Sequence, residues 1–176
     1  MTLLKFYKYP HPILRVPGEP VTVFDTELAD LVRDMTGTLY DCPGAIGLAA
    51  PQVGHSIRLF LLDMTAKTTQ DQLRVFINPI IVQQSRNKLS REGCLSFPDY
   101  LANVRRATRI TVSYQDVSGQ TLTHDARDLE AVAIQHELDH LDGILMIDRI
   151  ESLKTDWIRR GSAPAPGPDL MEAEEG

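Results

Sequence analysis

Cysteine is scarce in this chain: Cys42 and Cys94 are the only two. Two thiols cannot make a disulfide framework, and a reducing compartment disfavours even the single bridge they allow. Long apolar runs are missing as well. No stretch approaches the roughly 20 apolar residues needed to span a bilayer as a helix. Positive charge is in deficit, with a net charge of -6. That argues against a general nucleic-acid binder, which must neutralise phosphates. The opening run Met1-Thr2-Leu3-Leu4-Lys5-Phe6-Tyr7 has no apolar signal-peptide core and no small-residue cleavage site, so a cytoplasmic protein is the expectation. What is present is ordinary for a soluble globular chain. Its 176 residues are 43% hydrophobic and 24% charged, enough for one compact domain with a real core.

Periodicity organises the rest. Residues 8–20 hold Pro10, Pro12, Pro17 and Pro20 and read as an extended, turn-bearing arm that excludes helix. From Thr26 the apolar positions Leu28, Leu31, Val32, Met35 and Leu39 recur at helical spacing, with Asp25 or Thr26 as N-cap. Strands are expected at 57–64, 73–77, 80–84, 109–116 and 120–124, the last two joined by a hairpin turn at Val117-Ser118-Gly119. A second helix is expected over 127–142, and a short third one over 150–160. The expected fold class is α+β: short, mostly antiparallel strands around a buried central helix, plus an N-terminal helix. Residues 1–160 are expected to form a single catalytic domain. The segment 161–176, rich in Pro, Ala, Gly and acidic residues, is expected to be a disordered tail.

The helix at 127–142 carries Gln135-His136-Glu137-Leu138-Asp139-His140, an H-E-x-x-H pattern. Histidines four residues apart stand on one helix face, about 6 Å apart along the axis, and can grip one divalent metal. Glu137 follows the first histidine and can take a proton from a water on that metal, which suggests hydrolysis. On a solvated helix the same pattern can be inert. Here apolar residues flank both histidines, and buried imidazoles need partners. The third ligand of the common zinc peptidases is not evident. The position six residues after the second histidine is Met146, and Glu151 is close in sequence for a carboxylate ligand. Cys94, in Glu92-Gly93-Cys94-Leu95-Ser96-Phe97-Pro98, is the best third ligand, leaving one position open for water. A metallopeptidase that cuts internal amide bonds remains the competing reading of H-E-x-x-H alone.

Three segments stand together: Gly44-Ala45-Ile46-Gly47-Leu48-Ala49-Ala50-Pro51-Gln52, Glu92-Gly93-Cys94-Leu95-Ser96 and Gln135-His136-Glu137-Leu138-Asp139-His140. In order and approximate spacing, this trio resembles the peptide deformylase family over about residues 1–150. The resemblance implies a hydrolase that removes the formyl group from the N-terminal formylmethionine of newly made proteins and releases formate. It implies Cys94, His136 and His140 as metal ligands and Glu137 as general base and acid. Gln52 and the Leu95 N–H would bind the formyl oxygen, and Gly47 would meet the substrate through its backbone. Ile46, Leu129, Val132 and Ala133 would hold the methionine. The implied cofactor is one divalent ion, natively Fe(II), with Zn, Ni or Co accepted in purified protein. Implied partners are N-formylmethionyl peptides and, near the nascent chain, the ribosome, with Arg149, Lys154, Arg159 and Arg160 as the docking candidates. A bacterial origin fits best.

Two departures from the family pattern stand out. Ala45 takes the first glycine position of G-x-G, which costs little unless that position needs a positive φ. The family arginine that follows the cysteine motif is absent from Asp99-Tyr100-Leu101, so binding beyond methionine is expected to rest on backbone contacts. Glu92 is expected to pair with Arg105 or Arg106. Asp139 is either solvated or a support for the histidines. Cys42, His11, His55 and His124 are expected to be ordinary structural or surface residues.

Overall fold

The computed structural model describes residues 2–65 and 72–161. The segment expected to be a disordered tail lies, apart from Gly161, outside the described residues. The first helix, α1, spans Thr26–Asp41 and starts where the Asp25 side chain accepts a hydrogen bond from Leu28 N. Its apolar stripe of Leu28, Met35 and Leu39 is buried. The proline-rich arm is not wholly extended: a 3-10 turn spans Pro12–Arg15. A proline in the first turn sacrifices no needed N–H, and His11 Nδ1 accepts from Ile13 N, which together permit the turn.

Six strands form one sheet: β1 (Gly47–Ala49), β2 (Leu59–Leu62), β3 (Arg74–Cys94), β4 (Phe97–Gln115), β5 (Thr121–Arg127) and β6 (Trp157–Arg159). They run in the order β1-β2-β3-β4-β5, all antiparallel, with β6 also on β4. All four residues of β2 are buried because both faces of the strand are covered. Phe60 and Leu62 face the core shared with the central helix, while Leu59 and Leu61 face α1. This is why the strand reads as an unbroken apolar run rather than an alternation.

Two strands are much longer than periodicity suggested. The expected stop at Asn78-Pro79 is an irregularity inside β3, where Asn78 has φ 50° and the register shifts between Ile77 and Ile80. Asn78 is held there by hydrogen bonds to Val21 and Gln115. The outer half of β3 is exposed and polar, so it carries no apolar alternation to read. Residues 150–160 also differ from expectation. A four-residue helix, Leu153–Asp156, leads into β6 instead of continuing. Trp157 stacks on Tyr100 at 4.8 Å and meets Phe97 edge-on at 5.3 Å, which fixes the segment as a strand on β4.

The central helix, α2, spans Asp128–Leu141 and is buried at every residue from Ala131 to Leu141. A helix buried all round needs a partner for each polar side chain, and those partners define the site. The outer edge of β4 shows one of them. β5 covers that edge from Arg109 to Gln115, and β6 covers Tyr100 to Ala102. Between them, the Gln135 side-chain amide accepts from Ala107 N at 3.1 Å and donates to Ala107 O at 2.8 Å, standing in for a strand neighbour.

Candidate metal centre

Cys94 sits where the long hairpin turns. β3 and β4 pair in register from Gln83 with Thr111 to Gly93 with Leu101, then jump to Cys94 with Phe97, so Pro98, Asp99 and Tyr100 have no residue opposite on β3. Such an irregularity re-aims the strand end, and here it brings the thiol to the helix. Cys94 Sγ lies 3.2 Å from His140 Nε2. The ligand atoms of Cys94, His136 and His140 all lie within 4.8 Å of one another, and all three residues are buried. Cys42 and Cys94 are not joined in a disulfide.

The polar neighbours of this cluster form a chain. His136 Nδ1 is 2.8 Å from Glu92 Oε2, which leaves Nε2 to face the thiol. Glu92 in turn takes a two-pronged pair from Arg106, at 2.6 and 3.0 Å. Arg106 also donates to Asp139 at 2.6 Å, and Asp139 is held from outside by Arg149 at 2.6 and 3.0 Å. The partner expected for Glu92 is therefore Arg106, while Arg105 points to Glu151 on the surface. Burial opposes the Glu92 charge, but the hydrogen bonds from His136 and Arg106 win and hold its pKa down at about 2. Burial likewise opposes ionisation of Cys94, yet His140 and His136 hold the thiol well below its usual range.

Two buried atoms in this region have no partner among the described residues, Glu137 Oε2 and His140 Nδ1. Burial pushes the Glu137 carboxyl up to about 7, against the pull of the two histidines. Glu137 lies against Gly47. A methyl group on Gly47 would meet the Glu137 carboxylate, coming within 2.9 Å of its Cδ. The glycine thus makes room for the acid. Ala45 is not among the described non-glycine residues with positive φ, which are Asn78, Arg86 and Asp128, so alanine fits there without strain.

Gln52 reaches the cluster from a 3-10 turn at Ala50–Val53. Its Oε1 accepts from Ala49 N at 2.9 Å, which turns Nε2 toward Ser96 Oγ at 3.3 Å and Cys94 Sγ at 3.5 Å. Leu95 forms the tip of the hairpin beside it. A cavity of about 490 Å³ opens over the cluster, and Ile46, Gly47, Gln52, Cys94, Leu95 and His136 line it. Glu137, Leu129, Val132 and Ala133 also line it, so the candidate residues from all three motifs converge, with His140 behind in the metal cluster. Leu129, 60% exposed, forms the lip rather than the floor.

Sequence reasoning missed Ser96 as a partner of Gln52, although it lies inside a quoted motif. It also missed Arg91, and it offered Arg160 only as a docking candidate, whereas both line the mouth. No local pattern marks Arg160, because only the return of the chain as β6 brings it there. His11, His55 and His124 stand outside the cluster; His124 Nε2 lies 2.8 Å from Glu130.

The donors fit a divalent cation: one thiolate and two imidazoles, one of them supported by the Glu92 carboxylate. The unpartnered carboxylate beside them is placed as a base would be. The family model for polypeptide deformylase matches residues 3–156. Peptide deformylases from Acidobacterium capsulatum and Desulfotalea psychrophila are 45% and 42% identical, each over 91% of this chain and 94% and 95% of their own lengths. A crystal structure of a peptide deformylase from Legionella pneumophila superposes with a TM-score of 0.82 at 38% identity, covering 87% of this chain and 89% of that one. The chain belongs to the peptide deformylase family and is a hydrolase of that family.

Proposed function

We propose that this chain removes the formyl group from the N-terminal formylmethionine of newly made proteins, releasing formate. The observation that carries this is the Cys94, His136 and His140 cluster beside a buried Glu137 whose Oε2 has no partner, with Cys94, His136 and Glu137 lining one apolar-walled cavity. Those three residues would hold one divalent ion. Fe(II) is the native reading, and this donor set also accepts Zn, Ni or Co. When bound, the ion supplies Lewis acidity and lowers the pKa of water.

The chain's own residues do the rest. Glu137, with its carboxyl near neutrality, accepts a proton from the attacking water and returns it to the leaving α-amine. Water oxygen bonds to the formyl carbon, the C–N bond breaks, and formate and a free N-terminus result. Gln52 Nε2 and the Leu95 N–H are the donors for the formyl oxygen as charge grows on it. Ile46, Leu129, Val132 and Ala133 receive the methionine side chain. Gly47 offers bare backbone to the substrate and space to Glu137. The catalytic unit in this reading is residues 1–160. In this reading the enzyme works in the bacterial cytoplasm near the ribosome, with Lys154 and Arg159 as exposed cations on the docking segment.

Formate release from a formyl-Met peptide tests this, using protein purified anaerobically with Fe(II) or Ni(II). Release is expected with either metal. Folded, metal-loaded protein that releases none overturns the reading. Cys94→Ala is expected to lose both the metal and the activity; retained metal with retained activity would point to a different ligand set.

A further inference from the structure

We infer that Arg160, with Arg91 beside it, is a specificity-determining residue that selects substrates by charge beyond their first residue. The inference rests on the deformylase reading of the same cavity. β6 pairs Trp157, Ile158 and Arg159 with Ala102, Leu101 and Tyr100, and Arg160 N donates to Asp99 O at 2.8 Å, one step further. The backbone of Arg160 is thereby fixed at the cavity mouth. Its side chain crosses over Gly93. A methyl group on Gly93 would lie 2.5 Å from Arg160 Nη2 and 3.3 Å from Leu101 Cδ2. The missing side chain at Gly93 leaves room for the guanidinium across the strand, on the side where Leu101 also lies.

Arg91 and Gly93 are two apart on β3, so they share a face, and both Arg91 and Arg160 line the cavity. Both arginines are exposed, and neither has an ion pair among the described residues; Arg91 has only a long contact, Nε to Asn103 at 3.4 Å. The anionic side chains that line the same cavity are already committed or deep. Glu92 is tied to Arg106 and His136, and Glu137 is on the floor. The mouth is therefore cationic on a chain whose net charge is -6. A peptide whose formyl end lies at the metal cluster and whose methionine fills the apolar wall must leave past these two guanidinium groups. They can donate to its backbone carbonyls, attract Asp or Glu at the positions after methionine, and repel Lys or Arg there.

The test compares formyl-Met-Ala-Glu-amide with formyl-Met-Ala-Lys-amide, read as formate release by the metal-loaded enzyme. The unmodified enzyme should favour the Glu peptide by about fivefold in kcat/KM at low salt, through KM, and less at high salt. Arg160→Ala should reduce that preference to about twofold or less, again through KM, and Arg160→Lys should keep most of it. Arg105→Ala removes an exposed cation that pairs with Glu151 outside this cavity, and should leave the preference intact. The same two peptides without the formyl group, bound by calorimetry, read the preference independently of turnover. No formate from either peptide would count against the deformylase reading, while the calorimetric preference would still decide the role of Arg160. Equal treatment of the two peptides by the unmodified enzyme, or an Arg160→Ala protein that keeps the full preference, overturns the inference.

Discussion

On one side of α2, Gln135 bonds Ala107 and Ala131 through three hydrogen bonds, and Asp139 is held by both Arg106 and Arg149. On the other side, Glu137 and His140 each carry a buried atom without a partner. The two sides share one helix and the same near-complete burial. Burying a polar atom unbonded is costly, so a fold with no task for Glu137 and His140 would satisfy or replace them. The satisfied side acts as scaffold. The unsatisfied side is where a ligand would meet the free Glu137 oxygen, and where His140 turns Nε2 to the cluster, 3.2 Å from Cys94 Sγ. His136 joins the two, since its Nδ1 is fixed by the scaffold through Glu92 while its other nitrogen faces the cluster.

The sharpest way to break this contrast is Glu137→Gln. The shape is kept and the proton-accepting oxygen is lost. Turnover should fall by about 10² to 10⁴, the range for a positioned acid–base group. Metal content should be unchanged. Melting temperature should hold or rise, because a buried carboxylate whose pKa burial lifts to about 7 is replaced by a neutral amide. Formate release and metal analysis on the same preparation check this. Turnover within tenfold of the unmodified enzyme would mean that the bare oxygen is not the base.

Arg106→Ala attacks the other side. It strands the buried Glu92 without its guanidinium partner and leaves the buried Asp139 with Arg149 alone. Removing one partner of a buried ionic network costs about 3–5 kcal/mol. Denaturant unfolding of the metal-free protein measures the loss directly. A loss under about 1 kcal/mol would show that water relaxes the network and that the scaffold side is less constrained than its distances imply.

The sequence made the reactive side more legible than the scaffold. His136, Glu137 and His140 announce themselves by helical spacing, and Cys94 by elimination of other ligands. The sequence narrows the partner of Glu92 to Arg105 or Arg106, but the facing strands that join Glu92 to Arg106, 14 residues apart, run through stretches too polar to read as strand. β3 and β4 are held by their mutual ladder and by turn geometry rather than by apolar alternation, so period-two reasoning saw only their inner ends. β6 was unreadable for a different reason: three residues carry no period, and its stability comes from Trp157 against aromatic residues near position 100. What the sequence underdetermined was long-range pairing, and that is also what delivers Arg160 to the cavity.

Gln135→Leu is the smallest and most local perturbation of the contrast. Gln135 bonds both backbone groups of Ala107 on an edge that β5 and β6 leave bare. Leucine is close in size and keeps the helix, so packing changes little, but it leaves the Ala107 N–H and C=O buried without this partner. The expected loss is about 1–3 kcal/mol, smaller than for Arg106→Ala because no charge is stranded. Hydrogen exchange separates the local effect from general weakening. The Ala107 amide should lose protection while amides of α1, packed on the far side of the sheet, keep theirs at matched stability. An equal loss of protection in both places would mean that Gln135 supports the fold as a whole. In that case the edge of β4 is not held by the side-chain amide, and the satisfied side of α2 has to be explained by its charges alone.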